Sequence, residues 1–187
     1  MVAPAESGSA LLHGDSAHVG TLPRAGARMP RGDKGGAVQL CEVNVALPAA
    51  PLEAPMMSGF VKAIDDVNWL ADRSPGFVWR LPPQDGPVTF GPLGDDRVIV
   101  TLSVWTDFGA LQQYVYRTGH ALFMQRRTRW FLPLGGFTTA MWWIADGERP
   151  STEDGLGRLG HLRLHGPTPH AFSLRRQFDP EGAAERR

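Results

Sequence analysis

All Phe, Trp and Tyr residues of this 187-residue chain lie at or after position 60, beginning with Phe60. The segment up to about residue 37 is instead rich in Gly, Ala, Ser and Pro. It lacks the apolar surface whose burial offsets the loss of backbone entropy, about 1–2 kcal/mol per ordered residue. We therefore expect residues 1–37 to form a disordered tail or, alternatively, an arm that orders on a partner. The folded domain is expected over residues 38–178, followed by a C-terminal tail at residues 179–187.

The charge balance and the cysteine content exclude several classes of protein. The 19 basic residues are matched by 19 acidic ones, so the chain has no overall attraction to nucleic acid or to an anionic membrane. Its single Cys cannot form an internal disulfide or a Cys-rich zinc site, which is typical of a reducing compartment. No apolar run approaches the roughly 20 residues of a membrane-spanning helix, and the early residues Glu6 and Asp15 are unlike an export signal. We expect a cytoplasmic protein that binds neither nucleic acid nor membrane.

Hydrophobic periodicity predicts alternating strands and helices after residue 37. The predicted strands cover residues 38–46, 77–81, 97–105 and 138–145, and the predicted helices cover 56–72, 107–131 and 151–165. Ser151 and Asp154 form a capping-box pattern at the start of the last helix, and residues 171–178 form a last extended stretch. The order β-α-β-β-α-β predicts an α+β, ferredoxin-like fold, in which an antiparallel sheet carries two helices on one face.

The two faces of the predicted sheet differ in character. In the strand over 97–105 one row is wholly apolar, with Val98, Val100, Leu102 and Val104, whereas the opposite row is mixed, with Ile99, Thr101, Ser103 and Trp105. The first strand has a similar mixed row, which includes Glu42 and Asn44. Small polar groups among large apolar ones are typical of a ligand pocket. We expect the apolar row under the helices and the mixed row in a cavity, with two sheets facing each other in a dimeric barrel.

The long second helix also has two stripes of large side chains. One stripe suits docking on the sheet and contains Phe108, Leu111, Val115, Thr118 and Leu122. The other contains Tyr116, His120, Phe123, Arg127 and Phe131. The second stripe either packs against the C-terminal helix or a dimer partner, or projects a phenol, an imidazole and a guanidinium group into the cavity.

Other motifs carry little chemistry. His161 and His165 have helical metal-ligand spacing but lack a third ligand at a known distance. The glycines from Gly155 to Gly160 lie within a predicted helix, so they do not form a dinucleotide-binding loop. Cys41 lies on the apolar row of the first strand and is a poor nucleophile candidate. We predict no metal site.

Several motifs between residues 39 and 178 resemble a known family. They include Val43-Asn44-Val45-Ala46, Ser74-Pro75-Gly76-Phe77-Val78-Trp79-Arg80-Leu81, Leu102-Ser103-Val104-Trp105, Tyr114-Val115-Tyr116-Arg117-x-x-His120, Arg126-Arg127-x-x-Trp130-Phe131, Met141-Trp142-Trp143-Ile144 and Leu164-His165-Gly166-Pro167. They are similar to those of an uncharacterised bacterial family, a domain of unknown function in the dimeric α+β barrel superfamily. That superfamily includes cofactor-independent antibiotic-biosynthesis monooxygenases, polyketide cyclases and haem enzymes. The resemblance implies a homodimer and leaves the reaction open.

Our first hypothesis is a cofactor-independent monooxygenase of secondary metabolism, acting on an aromatic or polyketide-type substrate. We expect His120 to accept a proton, Arg127 or Arg80 to bind an anion, and Asn44 and Tyr116 to donate hydrogen bonds. The remaining substrate-binding candidates are Trp79, Ser103, Trp105, Phe123, Trp130 and Trp142.

Three alternatives remain open. A cyclase or isomerase could use the same groups without O₂. A haem protein is suggested by the resemblance, with Asn44 on the first strand and His120 on the second helix, although Gln125 lies nearer to the expected position of the axial ligand. The chain could also bind a small hydrophobic or aromatic molecule without catalysing a reaction.

Overall fold

Ten elements make up the part of the chain that the computed structural model describes, which is residues 37–82, 97–117 and 126–185. The strands are β1 (Val38–Pro48), β2 (Phe77–Arg80), β3 (Ile99–Trp105), β4 (Phe131–Leu132) and β5 (Thr139–Ala145). The helices are α1 (Ser58–Asp72), α2 (Phe108–Arg117) and α3 (Thr152–His165), with short 3₁₀ turns at Pro55–Met57 and Arg127–Arg129. The predicted tail at residues 1–37 lies outside the described residues except for Ala37.

Strand β1 is the centre of an antiparallel sheet. It pairs with β3 along one edge and with β5 along the other, where β4 continues the pairing at Leu47 and Pro48. Strand β2 pairs with the outer edge of β3, which gives the order β2-β3-β1-β5. The predicted α+β class and antiparallel sheet are therefore confirmed.

The predicted second helix is too long at its C-terminal end. Helix α2 covers Phe108–Arg117, and the predicted positions 118–125 lie outside the described residues. Beyond them the chain forms the 3₁₀ turn, and Phe131 begins β4 by pairing with Pro48. Pairing with the end of β1 is a long-range contact, so helical periodicity in the local sequence does not reveal it.

The apolar face of the sheet lies under α3. This face combines Cys41, Val43 and Val45 of β1 with Val100, Leu102 and Val104 of β3, all of them buried. Leu159 and Leu162 of α3 pack against these side chains. The approach is closest at Gly155, where an added Cβ atom would lie 3.0 Å from the Cγ2 atom of Val43. A glycine at this position thus allows the helix to contact the centre of the sheet.

The mixed face of the sheet lies under α1 and α2. Leu40 and Trp105 of this face pack with Ala71 of α1 and with Leu111 and Tyr114 of α2. At the other end of the same face, Ile99 packs with Met57, Phe60 and Trp130. Leu40, Ile99 and Trp105 are large apolar side chains, and burying them under helices removes them from water.

The two helices of the predicted ferredoxin-like pattern, α1 and α2, do share one face of the sheet. Helix α3 covers the opposite face, so the expectation that one face carries all the helices is wrong. The apolar row lies under α3. Helices α1 and α2 instead cover the mixed row, which we expected to line a cavity between two sheets. The dimeric arrangement stays a prediction. Two sheets could face each other directly only if α3 left the apolar face.

Candidate active site

The side chain of Glu42 lies at the middle of the central strand, on the mixed face. In the register of the sheet it is opposite Ser103 of β3 and Met141 of β5. The residue is half-buried, and the Ser103 hydroxyl group donates a hydrogen bond of 3.2 Å to its Oε2 atom. The indole Nε1 of Trp105 in turn donates to the Ser103 Oγ atom at 2.9 Å. Glu42 is thus the end of a short chain of hydrogen bonds beneath the helices.

The surroundings of Glu42 raise the pKa of its carboxyl group towards neutral pH. Burial among apolar side chains disfavours the charged form and raises the pKa of Glu42 to about 7, although the hydrogen bond from Ser103 acts in the opposite direction. A carboxyl group with a pKa near the operating pH can accept a proton and return it. This property makes Glu42 the strongest acid–base candidate among the described residues.

Tyr114 forms the helical side of the same region. Its ring stacks on Trp105 with centroids 5.0 Å apart, and its hydroxyl group donates to the carbonyl oxygen of Val67 in α1 at 3.3 Å. Burial, and then the negative charge of Glu42, raise the pKa of Tyr114, whereas the positive charge of Arg80 opposes this rise. The phenol is therefore neutral, and it lies within the electrostatic range of Glu42 and Arg80.

Arg80 lies in the same row of the sheet as Glu42. It is opposite Ser103 in the register, so the order across three strands is Arg80, Ser103 and Glu42. The guanidinium group is already engaged by Asp72 at the end of α1, with Nε 2.8 Å from Oδ1 and Nη2 3.2 Å from Oδ2. A substrate anion would have to compete with this carboxylate for Arg80.

Asn44 supplies a neutral polar group two residues along β1 from Glu42. Its Oδ1 atom accepts a hydrogen bond of 3.1 Å from the Thr139 hydroxyl group, and its main-chain oxygen accepts one of 3.5 Å from Thr101. The bond from Thr139 fixes the orientation of the carboxamide, because the oxygen end is the acceptor. Its N–H groups are then the end that can donate to a bound molecule.

A shallow, open cavity of about 270 Å³ lies at the outer edge of the sheet beside Arg80. Its lining residues are Asp72, Phe77, Val78, Trp79, Arg80 and Pro82. The volume is slightly below the range of roughly 300–1,000 Å³ that is usual for ligand pockets. The ion pair between Arg80 and Asp72 connects this cavity to the row that contains Glu42.

The structure brings some of the predicted site residues together. Asn44, Ser103, Trp105 and Arg80 all lie on the mixed face, in or beside the row of Glu42. Trp130 packs on the same face but at its far end, against Phe60 and Ile99.

Other predicted residues lie elsewhere. Trp142 is buried on the apolar face, where the Arg158 guanidinium group lies 5.6 Å from the centre of its ring. An irregularity between Phe77 and Trp79 turns Trp79 towards the same face, opposite Val104. Tyr116 is 57% exposed on the outer side of α2, and Arg127 is exposed in the 3₁₀ turn. His120 and Phe123 lie outside the described residues, so their roles stay predictions.

Sequence reasoning missed Glu42 and Tyr114 as candidate site residues. The signal for Glu42 is that it is the single acidic residue within the predicted strand over 38–46. Tyr114 is three residues after Leu111 and is adjacent to Val115, so it belongs to the sheet-docking stripe of α2. The first of these signals could have been found in the sequence, because an acidic side chain in the middle of a central strand is rare unless it is partnered.

Within residues 37–82, 97–117 and 126–185 no group of three or more His, Cys, Asp or Glu side chains could hold a metal ion. Of the residues considered for haem, Asn44 lies on the mixed face, whereas His120 and Gln125 lie outside these ranges. No helix in the described part of the chain is both long enough and apolar enough to cross a bilayer.

Fold and site together define an α+β protein with an antiparallel sheet and a half-buried carboxyl group near its centre. A model of the domain of unknown function DUF3291 matches residues 39–187, so the chain belongs to this family. The predicted membership of an uncharacterised family is thereby confirmed. No curated protein matches the chain.

Three solved structures illustrate the proteins to which the chain is similar. SnoaB, a cofactor-independent oxygenase from Streptomyces nogalater, is 19% identical, with 62% of this chain and 97% of that chain covered and a TM-score of 0.38. A protein of unknown function from Nitrosomonas europaea is 10% identical, with coverages of 63% and 99% and a TM-score of 0.41. A protein from Pseudomonas aeruginosa is 15% identical, with coverages of 64% and 100% and a TM-score of 0.37.

Proposed function

We propose that this protein is a small-molecule enzyme in which Glu42 accepts a proton from an aromatic or polyketide-type substrate, and that the reaction is a cofactor-independent monooxygenation. The observation that carries this proposal is the half-buried Glu42 carboxyl group with a pKa of about 7. Such a group is ionised in part at neutral pH and is strongly basic for a carboxylate.

The proposed reaction begins with the removal of a proton from an acidic CH₂ group by Glu42. The resulting carbanion is rich in electrons and reacts with O₂. Oxidation of the CH₂ group to a carbonyl group takes up one oxygen atom, and the second oxygen atom leaves as water with the two hydrogen atoms. The balance needs no external reductant, so the protein has only to supply a base, hydrogen-bond donors and a dry environment.

The other groups of the mixed face have supporting roles in this proposal. The N–H groups of Asn44 donate to the developing oxyanion, and the fully buried Trp105 contributes apolar packing around the base. A negative group of the substrate displaces the Asp72 carboxylate and binds to Arg80 in its place. His120 remains a second candidate for the proton acceptor, and its role is tested beside that of Glu42.

The test measures oxygen uptake and product formation with anthrone as a probe, an aromatic ketone that has an acidic CH₂ group. We expect Glu42→Gln to lower kcat/KM by about 10²–10⁴, because Gln cannot accept the proton. Asp65→Asn is the matched control, since Asp65 is an exposed carboxylate on α1, and it should leave turnover unchanged. Mass spectrometry with labelled O₂ should find one labelled atom in the carbonyl group.

The outcomes of this test separate the hypotheses. Unchanged turnover in Glu42→Gln together with lost turnover in His120→Ala would assign the base to His120. Absence of turnover and of binding for a panel of enolisable aromatic probes would contradict an enzymatic role on this substrate class. A Soret absorption band that develops when haem is added would favour a haem protein.

A cyclase or isomerase is the second candidate function. It is favoured by the near-neutral pKa of Glu42, because a group that accepts a proton at neutral pH can also return it to another carbon atom. Two measurements separate this function from the oxygenase. Under anaerobic conditions the substrate CH₂ protons should exchange with deuterium from the solvent, and in air the protein should take up no oxygen.

A further inference from the structure

We propose that Ser103, oriented by Trp105, is a positioning residue that holds the Glu42 carboxylate in its reactive form and selects the oxygen atom that faces the substrate. This inference rests on the proposed role of Glu42 as the base.

The chain of hydrogen bonds has a fixed direction. The indole N–H of Trp105 can only donate, so the Ser103 Oγ atom must act as the acceptor in their contact of 2.9 Å. The single hydroxyl proton of Ser103 is then available for the Oε2 atom of Glu42, 3.2 Å away. An ionised carboxylate accepts this proton in a stronger, charge-assisted hydrogen bond than a neutral carboxyl group does. The arrangement therefore favours the ionised form of Glu42.

The start of this chain is held rigidly by packing. Trp105 is fully buried and stacks on Tyr114 at an interplanar angle of 27°. The ring of Phe77 also contacts it in an edge-to-face arrangement, with centroids 5.3 Å apart. The Tyr114 hydroxyl group is tied to the main chain of α1 at Val67. The indole cannot rotate without displacing these rings, so its N–H stays directed at Ser103.

The two oxygen atoms of Glu42 are consequently unequal. Oε2 is engaged by Ser103, whereas Oε1 accepts no hydrogen bond from the described residues. This oxygen atom is the more basic of the two, because no donor in the described part of the chain stabilises its lone pairs. Oε1 is thus the atom to which the substrate proton would transfer.

The test is a titration of the Glu42 carboxyl carbon by NMR in the full-length protein with labelled glutamate. Glu42→Gln assigns the resonance. We expect Ser103→Ala to raise the pKa of Glu42 by about one unit, because a hydrogen bond to the charged form is lost. Trp105→Phe should give a smaller rise, since the hydroxyl group is then no longer oriented. Ser103→Thr retains the hydroxyl group and should restore the original value.

Thr101→Ala is the matched control. Thr101 lies on the same face of the same strand, and its hydroxyl group contacts Asn44 rather than Glu42. Its removal should leave the Glu42 titration unchanged. Ser103→Cys is a second variant in case Ser103→Ala does not fold. Its thiol is a weak donor and should also raise the pKa.

An unchanged titration in both Ser103→Ala and Ser103→Cys would overturn the inference. The titration needs no substrate, so a failure to find turnover would count against the proposed function alone. Where turnover is found, the acidic limb of its pH profile should move upward in Ser103→Ala with the plateau value of kcat retained. A lower plateau with an unmoved limb would indicate a merely structural role and would overturn the inference.

Discussion

Glu42 binds its proton more tightly in the folded chain than in the unfolded one. Its pKa is about 7 in the folded protein because of burial, against an ordinary value of 4.5. The folded state therefore holds more protons than the unfolded state between these two values. The contribution of Glu42 to the free energy of unfolding is then most favourable below pH 4.5. It falls as the pH rises from 4.5 to about 7, and it no longer changes above about pH 7.

We expect Glu42→Gln to be more stable than the wild type at about pH 8, by on the order of 2 kcal/mol, since the variant buries no charge. The difference should disappear at about pH 3, where the Glu42 carboxyl group is neutral in both states. Urea denaturation of the two proteins at both pH values checks this. Equal stabilities at pH 8 would mean that the carboxylate is well solvated in the folded protein.

Residue patterns predicted part of the candidate site. Asn44, Ser103 and Trp105 were expected on one mixed face, and they do lie together, because alternation along a strand fixes which side chains share a face. Tyr116 was predicted as a site residue, but it is Tyr114 that faces the sheet. Side chains two positions apart on a helix point about 200° away from each other, so only one of the two can face the sheet. The proton affinity of Glu42 depends on burial by several elements, so no local pattern reveals it.

Helix α3 offers a stability test with a matched pair of glycines. A Cβ atom at Gly155 would lie 3.0 Å from Val43 and 3.1 Å from Leu102, whereas one at Gly157 would contact nothing within 4 Å. We expect Gly157→Ala to stabilise the protein by up to about 1 kcal/mol, because alanine is the better helix former. Gly155→Ala should be less stable than Gly157→Ala by about 1–3 kcal/mol, because it overpacks the sheet.

Thermal or urea denaturation of both glycine variants measures this difference. Equal stabilities would show that α3 is not held close to Val43. The two substitutions make the same chemical change two residues apart on one helix, so a difference between them reports the helix–sheet contact alone.

Elements were predicted better than their arrangement. Strands β1, β2, β3 and β5 and helix α1 begin and end within a few residues of their predicted bounds, and Ser151 and Asp154 form the predicted reciprocal cap, whereas β4 was not predicted. These features depend on local periodicity and on neighbouring side chains. The side of the sheet that α3 covers, and the irregularity that turns Trp79, depend on contacts between distant segments. Local alternation alone therefore does not determine the faces on which Trp79 and Trp142 lie.

Both faces of the sheet bear on how the whole molecule associates. A homodimer remains our expectation, and each face of the sheet already carries a helix. We expect the dimer to form with α3 in place. Light scattering should then give the same mass for the wild type and for Gly155→Ala, in which α3 is held less firmly. A larger dimer fraction in the variant would indicate that α3 competes with direct sheet-to-sheet pairing.

The central position of β1 also determines the order in which the sheet can be completed on the ribosome. This strand is synthesised first, yet its partners β3 and β5 emerge much later. One edge of β1 is open until Thr139–Ala145 has left the exit tunnel, and open strand edges can pair with other chains. A nascent chain that stops before this point therefore carries a central strand with an unpaired edge, which can pair with other chains.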